Sequence, residues 1–126
     1  MVQVKINFLS DYSPLDRPGI WGDFTVTTEM VNKCLENKDF INFPINGTSL
    51  NKTPLNHAKR IAYLTKNGWK DAIIICVGVP QIVDTLPYVE DGNHRLAAAI
   101  MRSDQYINVV IDGSLDHAQN LFGVRF

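Results

Sequence analysis

Val2, Val4, Ile6 and Phe8 alternate with Gln3, Lys5 and Asn7, the period-2 pattern of a strand with one buried face. The stretch Ser10 to Gly22 holds Pro14, Pro18, Gly19 and Gly22 and reads as a loop that returns Ile20 and Trp21 to the core. Past an N-cap at Thr27 or Thr28, the residues Met30, Val31, Cys34 and Leu35 share one helical face, with Glu29 in the first turn, so a short helix is expected to about Lys38. Thr53-Pro54 opens a second helix, an N-cap followed by proline at the first helical position. Leu55, Ala58, Ile61, Ala62 and Leu64 form its apolar stripe, Lys59, Arg60 and Lys66 its wet face, and Asn67-Gly68 its stop. Ala72 to Val79 is a continuous apolar run, expected as a central strand buried on both faces. Gln81-Val83 and Tyr88-Glu90 flank an Asp84-Pro87 turn and read as a hairpin. A helix over Leu96–Met101, a strand over Ile107–Ile111 and a last helix with Leu115, Ala118, Leu121 and Phe122 complete the pattern. The fold class is therefore α/β in the mixed α+β sense, a central mixed sheet flanked by helices in one domain spanning residues 1–126.

Composition leaves that picture intact. With 45% hydrophobic and 20% charged residues the chain is far from the signature of disorder. A formal net charge of -1 removes the long-range field of strong nucleic-acid binders but allows a local basic pocket. Cys34 and Cys76 lack CxxC or CxH spacing, so they read as buried thiols and indicate neither a zinc site nor a redox pair. No apolar stretch reaches the roughly 18 residues of a membrane span and no leader pattern opens the chain, so a cytoplasmic protein without a membrane partner is expected. The sequons Asn46-Gly47-Thr48 and Asn51-Lys52-Thr53 are then chance matches.

One passage calls for chemistry: Glu90-Asp91-Gly92-Asn93-His94-Arg95, where a strand ends in a glycine turn and a helix begins. The unpaired N–H groups at a helix start favour acids and disfavour cations. His94 and Arg95 stand there against that preference, and a docked anion would reverse it, being held at once by the dipole, a guanidinium and an imidazole. Phosphate is the obvious anion. Gly92 lets the backbone approach it, and Glu90 and Asp91 offer carboxylates to a divalent cation bridging phosphate oxygens. The same residues also admit a plainer assignment, in which Asn93 caps the helix, Asp91 pairs with Arg95 and His94 is an ordinary satisfied histidine.

Asp91-Gly92-Asn93-His94-Arg95-Leu96-Ala97-Ala98-Ala99 resembles the DGHHRLAAA-type motif of the ParB/sulfiredoxin superfamily. Pro54-Leu55-Asn56-His57, the helix to Leu64, Gly68-Trp69 and the run Ala72 to Val77 are similar in order and spacing to what precedes that motif in ParB-like domains, so the likeness covers about residues 53–112. The resemblance implies a pocket for nucleotide phosphate, used by different members for CTP hydrolysis with clamp closure, ATP-dependent sulfinic acid repair, free serine phosphorylation or nuclease activity. It sets Gly92, Asn93, His94 and Arg95 on the nucleotide and Asp91 on the acid of the kinase-like version. Sulfiredoxins have their catalytic cysteine where Asn93 stands, so sulfinic acid repair is not expected. Chromosome-partitioning ParB proteins read Gly-Glu-Arg-Arg here with the glutamate helping to hold magnesium, a task that falls to Asp91 or Glu90 in this chain.

The resulting expectation is a stand-alone domain that binds ATP or CTP with Mg²⁺ and hydrolyses it or transfers its terminal phosphate. Asp91, His94 and Arg95 form the catalytic set, and Glu90 and Asp91 the metal set. Arg95→Ala is then expected to abolish ligand stabilisation and leave the free protein's melting point nearly unchanged. Two rivals are a non-enzymatic interaction protein of the phage or plasmid type that acts on a protein partner, and a metal-dependent nuclease, which the charge balance disfavours. His57 and His117 have no Cys or acid at ligand spacing and read as plain helix residues.

Overall fold

The computed structural model describes residues 1–45, 51–82 and 86–126. In chain order they form β1 (Val2–Lys5), a 3-10 segment (Ile6–Tyr12), α1 (Thr28–Asn37), α2 (Pro54–Asn67), β2 (Ile73–Gly78), β3 (Tyr88–Asp91), α3 (Asn93–Met101), β4 (Tyr106–Gly113) and α4 (Leu115–Phe122). The sheet order is β1-β4-β2-β3, with β2 and β4 parallel and both outer strands antiparallel to their neighbours. This is the mixed sheet with flanking helices that the sequence pattern calls for. Among the described residues, no helix is long and apolar enough to cross a membrane.

Capping residues place the helices. The hydroxyls of Thr27, Thr53 and Ser114 accept from the amides of Met30, Asn56 and His117 at the starts of α1, α2 and α4. Gly68 ends α2. On one side, Val4, Ile73, Ile75, Val77, Val89, Ile107 and Val109 from the sheet bury against Leu9, Leu96, Ala99, Ala118 and Phe122. A second cluster joins Val31 and Cys34 of α1, Ala58, Ile61 and Ala62 of α2 and Ala97 and Ala98 of α3. α3 thus lies between the sheet and the α1–α2 pair, and its three fully buried alanines let it be approached from both sides.

Four expectations are corrected. The first strand stops at Lys5 rather than reaching Phe8, because the 3-10 segment tightens the chain, buries Leu9 and leaves Phe8 exposed. Leu55 is exposed and stands outside the α2 stripe. β2 is buried on one face only: Ile73, Ile75 and Val77 face the helices, while Ile74 and Cys76 lie on a half-open face. Finally, Tyr88–Asp91 pairs with β2, not with the Gln81 segment, since Pro80 and the left-handed Gln81 (φ +70°) turn the chain there. Val83, Asp84 and Thr85 of that hairpin, and the Asn46 sequon, fall outside the described residues.

Candidate functional site

The β3–α3 turn is built around Gly92, the N-cap of α3, at φ +109°. A Cβ there would stand 2.5 Å from Ile73 Cγ2 and 2.8 Å from Ile73 Cβ, so both backbone angle and space demand glycine. A one-residue irregularity between Ile74 and Ile75 accompanies the turn: Ile75 faces Val89 and Ile74 faces Asp91, leaving Glu90 as the extra residue. No side chain caps α3 and no acid sits in its first turn, so its leading amides are left for a ligand or water. Asn93 is the first helical residue, not the cap.

Arg95 is largely occupied by the protein itself. Its Nη1 donates to the carbonyl oxygens of Asp71 (3.1 Å) and Ala72 (2.9 Å), and its Nη2 to Asp91 Oδ2 (3.1 Å). With the side chain only 17% exposed, this is a clamp tying α3 to the chain entering β2. The pairing of Asp91 with Arg95, one of the three parts of the plainer sequence assignment, is therefore realised, and only part of the guanidinium faces the cleft.

His94 meets an unforeseen partner. Its Nε2 lies 2.8 Å from Nδ1 of His57, a residue of α2 that is 4% exposed. Trp21 covers both rings, with centroids at 4.5 Å from His57 and 4.7 Å from His94, and Phe24 flanks His57 at 5.7 Å. The loop carrying Trp21 is tied down: its indole N–H donates to Pro14 O (2.8 Å), and the Asp16 carboxylate accepts from the amide (2.8 Å) and hydroxyl (2.5 Å) of Thr28. Burial pushes the His94 imidazolium down to about 3, helped by His57, Arg60 and Arg95. Burial and then Lys52 lower His57 as well. Both rings are neutral near pH 7, so His94 offers a hydrogen bond and no charge.

Two clefts meet at this turn. One, of about 400 Å³, is bordered by Arg60, Tyr63, Trp69, Lys70, Gly92, His94 and Arg95. The other, of about 350 Å³, is bordered by Trp21, Lys52, His57, Asn93 and His94, with Gly92 and Asp91 common to both. Three basic side chains beside two acidic ones, Asp71 and Asp91, give the first cleft a local positive balance in a chain of net charge -1. No family model, curated protein or solved structure matches this chain. The likeness to ParB and sulfiredoxin proteins rests on the motif residues and on the order and spacing of the segments around them over about residues 53–112.

The two acids proposed for a metal have different partners. Glu90 has a carboxylate oxygen within 4.8 Å of one on Asp112 and of the Cys76 Sγ, across three adjacent strands. A hydrogen bond shared with Asp112 raises its carboxyl above the ordinary range. Asp91 has one oxygen on Arg95 and is 65% exposed, which leaves the other oxygen open to a hydrated magnesium ion carried in by phosphate. Asp91 therefore fits such an ion, while Glu90 lies apart from it with Cys76 and Asp112, a group of three donors that could itself hold a metal ion. Cys34 is buried, but Cys76 is only half-buried, and its neighbours come from other strands at spacings no sequence motif displays.

Proposed function

We propose that this chain is a ParB/sulfiredoxin-like cytoplasmic protein that binds a nucleoside triphosphate, ATP or CTP, and hydrolyses it or passes on its terminal phosphate. The observation that carries this reading is the uncapped start of α3 behind Gly92, opening into a cleft with Arg60 and Lys70 on its wall. Amides at a helix start with nearby guanidinium and ammonium groups suit a polyphosphate. Tyr63 and Trp69 border the same cleft and give a base or ribose an aromatic surface. Neutral His94 donates or accepts a hydrogen bond at the phosphoryl group, and Asn93 contributes its amide. Asp91 is the carboxylate available to magnesium, which when bound would offset charge on the phosphates.

A thermal-shift panel of ATP, CTP, GTP and UTP, with and without Mg²⁺, tests the reading. At a hundredfold excess over its dissociation constant a ligand adds about 2.7 kcal/mol, several degrees for a domain of this size. Arg60→Gln with Lys70→Gln should remove the shift; a flat response from the unaltered protein to every nucleotide refutes the proposal. The interaction-protein reading draws on a different observation, the exposure of Tyr88, Tyr106 and Val110 on the sheet strands. Binding without phosphate release would favour it.

A further inference from the structure

The His57–His94 pair has a property that nucleotide binding alone does not use. A 2.8 Å contact between Nδ1 of one ring and Nε2 of the other needs one N–H and one lone pair, so the neutral pair shares a single proton. Among the described residues no buried side-chain nitrogen lacks a partner, and neither outer nitrogen, His94 Nδ1 or His57 Nε2, has a hydrogen-bond partner there. Both outer nitrogens are therefore reached by solvent. His94 borders both clefts, whereas His57 borders only the second. The rings form a bridge with one open nitrogen at each end, held under Trp21.

We propose that His57 and His94 are a two-ring proton relay, drawing a proton from a water or alcohol hydroxyl attacking a phosphoryl group at the start of α3 and delivering it to solvent in the second cleft. The relay rests on the nucleotide reading above and goes beyond it, by assigning the class of nucleophile and the path of its proton. In the starting form both rings carry hydrogen on Nε2, the ordinary tautomer of a neutral imidazole. The Nδ1 lone pair of His94 then lies at the positive end of α3, where a lone pair is favoured. As the hydroxyl oxygen bonds to phosphorus, its O–H bond breaks and the proton passes to His94 Nδ1. The Nε2 proton of His94 moves to His57 Nδ1, and the Nε2 proton of His57 leaves to water. The bond from phosphorus to the leaving oxygen breaks with its electron pair staying on the nucleoside diphosphate. Both rings finish neutral with hydrogen on Nδ1, so no imidazolium accumulates beside Arg60, Arg95 and Lys52, the cations that oppose one.

His57→Asn is the decisive variant, because an amide can still hydrogen-bond to His94 Nε2 but cannot pass a proton on. Its expected behaviour is an unchanged nucleotide-induced thermal shift with phosphate release or transfer slowed by about 10²-fold, the lower end for a lost acid–base group. His57→Phe, which keeps a ring under Trp21, should do the same. In the unaltered free protein, nitrogen-15 NMR of the rings should show two neutral imidazoles at pH 7 with a coupling across the shared N–H···N bond. Full turnover in His57→Asn overturns the relay and leaves His57 a mere prop, and so does absence of the coupling. Nucleotide binding without turnover in the unaltered protein refutes the relay but not nucleotide binding. Absence of any nucleotide shift refutes both.

Discussion

Gly92 and Arg95 do opposite jobs one turn apart. Gly92 leaves a space open and Arg95 closes one. Gly92→Ala would press a methyl group into Ile73 at a backbone angle that alanine avoids, so a loss of about 3 kcal/mol is expected in urea unfolding. Arg95→Ala strips donors from two carbonyl oxygens and leaves Asp91 without its partner. A loss of roughly 1–3 kcal/mol is expected in the free protein, in place of the nearly unchanged melting point that the phosphate-only role implied. Both residues are conspicuous in the sequence as a glycine and a cation at a helix start. The partner of His94 is not, because it lies 37 positions away on α2 and arrives there only through the packing of α2 against α3.

At the scale of elements, the helices were legible because their ends are written locally. Thr53 caps α2 in the structure as its place before Pro54 suggests, and Thr53→Ala should cost about 1 kcal/mol, read as a lower midpoint in thermal unfolding. Strand partners were not legible, since nothing near Tyr88–Glu90 states that its neighbour is β2. Their pairing has an electrostatic result. Cys76 stands opposite both Tyr88 and Asp112, and a Glu90 oxygen comes within 4.8 Å of one on Asp112, which raises the Glu90 carboxyl pKa. A raised carboxyl binds its proton more tightly in the folded state, so ionised Glu90 weakens the fold as pH rises past the ordinary carboxyl range. Glu90→Gln should therefore raise the melting midpoint at pH 7, with the gain fading in acid; a lower midpoint at pH 7 would contradict the arrangement.

Over the whole molecule, the two histidines set the acid limit of stability. Both have folded values below the ordinary 6.5, His94 at about 3, so the unfolded chain binds their protons more readily. Their contribution is complete above pH 6.5 and is lost as pH falls below it, for His94 down toward about 3 at up to about 1.4 kcal/mol per pH unit. Urea midpoints measured from pH 7.5 to 4 should fall along that slope, and His57→Asn should flatten it. Surface charge sets a different limit. Lys59 pairs with Asp39 at 3.5 Å and Lys66 lies over Phe40, so of the basic residues of α2 only Arg60, on the cleft wall, is left for phosphate, too few for a DNA backbone. Duplex DNA should bind only with dissociation constants above about 10⁻⁵ M near physiological salt. Tight binding that survives 200 mM salt, measured by fluorescence anisotropy, would restore the nuclease rival.

The order β1-β4-β2-β3 also governs when the molecule can exist. β4 lies inside the sheet, between β1 and β2, yet Tyr106–Gly113 is made after both of the strands it joins. Until it emerges from the ribosome, Val2–Lys5 has no strand to join and β2 and β3 form an isolated two-stranded ribbon, marginal in water by itself. The helical cluster can gather earlier, but the wall behind Gly92 cannot, since Ile73 is held on one side by Val109. From β1 until β4 a growing chain therefore carries an apolar strand unsheltered, and the turn that positions α3 takes shape only once β4 is in place.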